Sequence, residues 1–143
     1  MSDFDLSSKV EHALQQTILL ECGLSGVAVL TGTDDATKTV PNVVCACESI
    51  GPEQPYGSGN FPANAQVTVN SNADDTTLAV HRSRVAAVFD ELRQDDVAAT
   101  ISANLAAFHC FGATCEGMGK ENTENSYSDW IRLNLYCCAS DIS

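Results

Sequence analysis

The stretch Trp130-Ile-Arg-Leu-Asn-Leu-Tyr-Cys-Cys138 decides how this chain is read. Its residues alternate between two characters. Ile131, Leu133, Leu135 and Cys137 are apolar and share one face of an extended strand, while Trp130, Arg132, Asn134 and Tyr136 share the other. Such alternation predicts a strand with one face packed on a core and the other open. A partner precedes it, since Ala107-Phe-His-Cys-Phe111 begins a second strand and Tyr127–Cys138 completes a hairpin. The polar, glycine-bearing stretch 117–125 is expected to form a long mobile tip.

Working backwards, Ala65-Gln-Val-Thr-Val-Asn-Ser71 alternates in the same way, with Val67 and Val69 inward. Asn72-Ala-Asp-Asp75 is expected to cap a helix over about 75–94, whose buried stripe is Leu78, Val85, Val88, Phe89 and Leu92. A weaker helical piece covers about 96–105. Residues 49–64 hold three prolines and three glycines and read as one long loop. Val43–Cys47 and Val27–Leu30 read as shorter strands.

An amphipathic helix is expected over 5–22, because Leu6, Val10, Leu14 and Ile18 recur every four residues. Ser8-x-x-Glu11 has the form of a capping box, with Asp3 or Asp5 as alternative caps, and Gly23 sits where a left-handed terminator is wanted. Helix, strands, helix, strand pair implies an α+β fold. Its sheet should be mixed but mainly antiparallel, with the helices packed on one face. A length of 143 residues suits a single domain.

Composition removes several function classes. There are 19 acidic residues against 7 basic ones, a net charge of −12, so no basic stripe exists to neutralise phosphates. The chain should repel DNA and anionic membrane. No run of about 18 apolar residues spans a bilayer, and the polar start MSDFDLSSKVEHALQQ has neither region of a secretory signal. Synthesis and retention in the cytosol are therefore expected. In that compartment the seven cysteines are expected to stay reduced, with Cys45, Cys47, Cys110 and Cys137 serving as small apolar residues in strands.

Three kinds of pattern bear on chemistry. Zinc knuckles need repeated C-x₂-C pairs, whereas this chain offers Cys45-x-Cys47, Cys110-x₄-Cys115 and adjacent Cys137-Cys138. Neighbours on a strand point to opposite faces, so Cys137 and Cys138 do not share a metal easily. His12, His81 and His109 stand in no nucleophile motif, and G-x-S-x-G, H-E-x-x-H and the P-loop are all absent. Gly57-Ser-Gly59 lacks the strand-to-helix junction of a phosphate cradle. No catalytic residue, metal or cofactor is expected.

What remains is a set of candidate contact residues. Arg82 and Arg84, beside His81, stand out on an acidic chain. They read either as a solvated helix face or as a subunit contact in which the guanidinium fork meets a neighbour's carboxylates. Trp130, Arg132 and Tyr136 line the strand face opposite the apolar set, a natural interface if nothing in the molecule covers it.

Three stretches carry a family resemblance. They are the strand Val67-Thr-Val69, the run Ser71–Asp75 leading into a helix with His81-Arg-Ser-Arg-Val85, and the final strand Trp130–Cys138. From 65 to 139 the pattern resembles the tail-terminator and head-to-tail (neck) completion proteins of tailed bacteriophages, and the N-terminal helix and strand at 43–47 fit the same order. The resemblance implies one such domain over 1–143, without catalytic residues, made in the host cytoplasm and resident in the virion. It further implies a homo-oligomeric ring, usually a hexamer, that caps the tail tube and docks it to the portal and connector. Loops 49–64 and 117–126 would be its contact arms, and DNA would pass through an acidic lumen without being bound. A head-completion connector, a tail-tube subunit, or a small cysteine-based metal-binding protein are the alternatives. The cysteine content departs from the family pattern.

Overall fold

A computed structural model describes residues 6–24, 27–31, 41–51, 60–73, 76–94, 96–105 and 108–139. Among these, α1 (Leu6–Glu21), α2 (Leu78–Leu92) and α3 (Val97–Ala103) accompany five strands: β1 (Ala28–Thr31), β2 (Asn42–Ile50), β3 (Asn60–Asn72), β4 (Phe108–Lys120) and β5 (Ser126–Ala139). The strands form one sheet in the order β1-β2-β3-β5-β4. Only β1 and β2 run parallel; the other three pairings are antiparallel. The expected α+β class with a mainly antiparallel sheet is what the chain adopts.

The core lies between the sheet and the helices. Val43 and Cys45 of β2, Ala63 to Val69 at every second position of β3, and Ile131 to Cys137 at every second position of β5 are all buried. Against them lie Leu6, Val10, Leu14 and Ile18 of α1, Val88, Phe89 and Leu92 of α2, and Val97 and Ile101 of α3. Helix α1 covers β1 and β2, α2 meets β3 and β5, and α3 covers β4. Each fully buried leucine or isoleucine contributes about 1.5–3 kcal/mol relative to exposure, so these stripes hold the two layers together. Gly23 ends α1 at φ 60°, the left-handed conformation expected of it.

Several boundaries differ from the sequence reading. Helix α1 begins at Leu6, which puts Ser8 and Glu11 inside it rather than at a capping box. Glu11 is instead buried against the sheet, where its Oε2 accepts from the Cys47 backbone N–H at 2.9 Å. Cys47 lies at a register shift in the β2–β3 pairing, and a helix carboxylate serves the donor there. Asp3 and Asp5 lie outside the described residues.

Helix α2 is capped by Thr77, whose Oγ1 accepts from Val80 N, and not by the 72–75 run, of which residues 74 and 75 are not described. The expected loop 49–64 is shorter at both ends, because β2 continues to Ile50 and β3 starts at Asn60. Pro62 stands inside the central strand β3. Its carbonyl accepts from Gly51 N at 2.7 Å, so its missing N–H falls on the same side, where β2 is ending and requires no donor. Residues 52–59 lie outside the described chain.

The hairpin tip is also tighter than expected. Residues 117–120 belong to β4, and the turn occupies 121–125. Glycines in this stretch suggested a loop, yet they sit in a ladder that continues to Lys120 opposite Asp129.

Candidate functional site

With three helices on one face of the sheet, the opposite face carries no helix among the described residues. Register builds this open face from Val44, Ala46 and Glu48 of β2, Pro62 to Asn70 at alternate positions of β3, and Trp130, Arg132, Asn134 and Tyr136 of β5. Opposite the β5 set, β4 presents glycine three times: Gly112 faces Tyr136, Gly117 faces Arg132 and Gly119 faces Trp130.

The glycines have a steric reason at two of those positions. A Cβ at Gly119 would stand 2.4 Å from Trp130 Cζ2, and one at Gly112 would stand 3.2 Å from Tyr136 Cδ2. The aromatic rings of β5 therefore lie across β4 towards its free edge, and an edge glycine is covered by its cross-strand aromatic neighbour. Phe111 extends the aromatic surface, half-exposed and 6.3 Å from the Tyr136 ring. With Asn60, Phe61 and Pro62 it lines a shallow apolar depression at this end of the face.

Arg132 organises the middle of the face. Its guanidinium carbon lies 5.3 Å from the Trp130 ring centroid, Nη2 donates to Gln66 Oε1 at 2.9 Å, and Nε lies 3.3 Å from Glu48 Oε1. Both charged side chains remain about half exposed, so the ion pair is screened and worth little by itself. Asn134 donates to the Tyr136 hydroxyl at 3.1 Å, and its buried Oδ1 has no partner among the described residues. Trp130, Arg132 and Tyr136 are thus brought together, as the alternation predicted.

The arginines of α2 belong elsewhere. Arg82 is exposed on the helix, whereas Arg84 turns inward, with Nη1 3.4 Å from both Ser71 Oγ and Thr76 Oγ1. His81 is not on a solvated face at all. It is 1% exposed, with Nδ1 2.8 Å from Ser71 Oγ, Nε2 2.8 Å from Asp129 Oδ1, and the Tyr127 ring tilted against it at 5.2 Å between centroids. Sequence reasoning missed this strut because its members lie on α2, β3 and β5, with His81 and Asp129 48 residues apart.

Ser71, His81 and Asp129 have the composition of a hydrolytic triad. Their setting does not suit that chemistry. Ser71 is fully buried, and its hydroxyl faces the core, tied to His81 and Arg84. The arrangement locks α2 onto the two central strands.

No protein-family model matches the chain, and no curated protein matches it. Its fold is similar to that of a chain in the virion of a native gene transfer agent (GTA) particle, with a TM-score of 0.72 and 14% sequence identity. The likeness covers 95% of this chain and 99% of that one. It is a likeness of fold, and it takes in the helix layer as well as the sheet.

Of the cysteines, Cys115 is exposed, Cys45, Cys110 and Cys137 are buried, and the others are partly covered. All seven are free. Burial, reinforced by Glu91, pushes the Cys22 thiol up to about 11, and burial together with Glu11 does the same for Cys47. Cys45 is raised further by complete burial. Thiols held protonated in this way are poor nucleophiles and poor metal ligands. Among the described residues no three His, Cys, Asp or Glu side chains converge as a metal set, and no helix is long and apolar enough to cross a membrane.

Proposed function

We propose that this chain is a structural protein of a phage-like particle, a ring-forming tail terminator or neck-completion protein that acts by assembly and not by catalysis. The observation that carries the proposal is the nearly complete, two-sided correspondence of fold with a virion chain. The open sheet face supports it: a partly exposed tryptophan and tyrosine flanking an exposed arginine on one strand is the composition of an interface centre. The burial of Ser71 supports the non-catalytic part.

In this reading six copies close a heterologous ring, with the β5 face and the exposed Arg82 as subunit contacts. The ring caps the tail tube and meets the portal or head connector. Each copy brings a charge of −12. Glu121 and Glu124 are exposed on the hairpin turn, and they are the acids we assign to the lumen. Phosphates passing them are repelled and not captured.

Light scattering tests the assembly: a species at six times the 15.2 kDa chain mass is expected, alone or once tube protein is added. A chain that stays monomeric with its tube partner present sinks the ring. For the lumen, replacing Glu121 and Glu124 by lysine should slow DNA passage while rings still form; unchanged ejection kinetics would remove that assignment.

A further inference from the structure

Assembly leaves the cysteines unexplained, and one pair differs from the rest in geometry. Cys110 of β4 and Cys137 of β5 are direct cross-strand partners. Both face the helix layer, at 1% and 0% exposure, and the Cys110 thiol donates to the Gly112 carbonyl at 3.4 Å. The other strand cysteines have no cysteine opposite them. Cys45 and Cys47 face Val67 and Ala65, Cys115 faces Leu133, and Cys138 faces His109 and Asn60. Directly opposed residues of an antiparallel pair have Cα atoms about 4.5 or 5.5 Å apart. Both spacings lie within the roughly 4.4–6.8 Å that a disulfide spans.

We propose that Cys110 and Cys137 are a thiol–disulfide switch that joins β4 to β5 when a small disulfide such as oxidised glutathione is present. The Cys110 thiolate attacks one sulfur of oxidised glutathione, forms a mixed disulfide and releases one glutathione. Cys137, its proton lost to solvent, then attacks the Cys110 sulfur, displaces the second glutathione and closes the bond. The protein gives up two electrons and two protons, and the glutathione disulfide takes them up as two thiols. The thiol that ionises first is the nucleophile, and its neighbour across the ladder, lying directly opposite, is placed to resolve the mixed disulfide.

Access runs through α3. This seven-residue helix has no side-chain cap at Asp96 and covers β4, with Ser102 Oγ accepting from the Cys110 backbone N–H at 3.2 Å. A helix that short is held by its packing alone. Its local opening exposes the pair without unfolding the sheet. Oxidation is therefore gated by α3, and Ile101→Ala should speed it.

The test is incubation of the full chain with oxidised glutathione under native conditions, then thiol counting and non-reducing peptide mapping. The count should fall from seven to five, with the peptides holding Cys110 and Cys137 joined. The midpoint of thermal unfolding should rise by roughly 10 °C. Cys115→Ser should still lose two thiols, whereas Cys110→Ser should lose none to an internal bond. Seven persisting thiols, or a bond between any other pair, overturns the proposal. These readouts are separate from ring mass, so the switch and the ring stand or fall independently.

Discussion

Strand β5 carries two different surfaces on alternate residues. On one side Ile131, Leu133, Leu135 and Cys137 are sealed under the helices at 1% exposure or less. On the other, Trp130, Arg132, Asn134 and Tyr136 rest on the strand beside them and stay partly open. The first set belongs to the core beneath the helix layer, where α2 is the helix that meets β5. Contacts of the second run along the sheet, one strand to Gly112 and Gly119 of β4 or Gln66 of β3, and two strands to Glu48 of β2. One face makes the fold; the other is organised without being needed for it, which leaves it free to meet a partner.

That contrast breaks first on the covered side. Leu133→Ala removes a fully buried side chain from a central strand and should cost about 2–5 kcal/mol in urea unfolding, transfer and cavity effects together. A loss below 1 kcal/mol would mean the layers are looser than the burial of Leu133 implies.

A substitution at the seam between the faces comes next. Gly119→Val places atoms where Trp130 now lies and should cost about 1–3 kcal/mol by overpacking. Trp130 is the chain's single tryptophan, so its emission should shift red as the ring leaves β4. Unchanged emission would show that the strand yields instead of the ring.

The smallest effect belongs to the open face. Arg132→Met keeps the aliphatic stem over Trp130 but removes the half-exposed ion pair, and should change stability by less than about 1 kcal/mol. The same variant should weaken self-association measurably, by sedimentation, in low salt. Equal association in both proteins would take Arg132 out of the interface.

Much of this was legible in the sequence because β5 and β3 alternate so regularly: the strand faces, the α+β class and the convergence of Trp130, Arg132 and Tyr136 all follow from a period of two. The failures have physical causes. Gly117 and Gly119 looked like loop because glycine weakens a strand by itself, and at Gly119 the Trp130 ring arriving from β5 offsets that. Pro62 looked like a breaker because its tolerance depends on where β2 stops. Glu11 looked like a cap because its partner, Cys47, is 36 residues away. His81 looked solvated for the same reason, as no local pattern announces Ser71 or Asp129. In each case the deciding neighbour belongs to another element.

The strand order β1-β2-β3-β5-β4 has a consequence for how the molecule comes into being. Strand β5 lies between β3 and β4, yet the ribosome makes it after both. Until it emerges, β3 has an open hydrogen-bonding edge and β4 has no neighbour to join. Thirteen register pairs between β3 and β5 must then form across a long stretch of chain, a non-local closure that is intrinsically slow. Folding therefore completes only after translation has passed residue 139, and a nascent chain stalled before Ser126 carries an unfilled slot in the middle of its sheet.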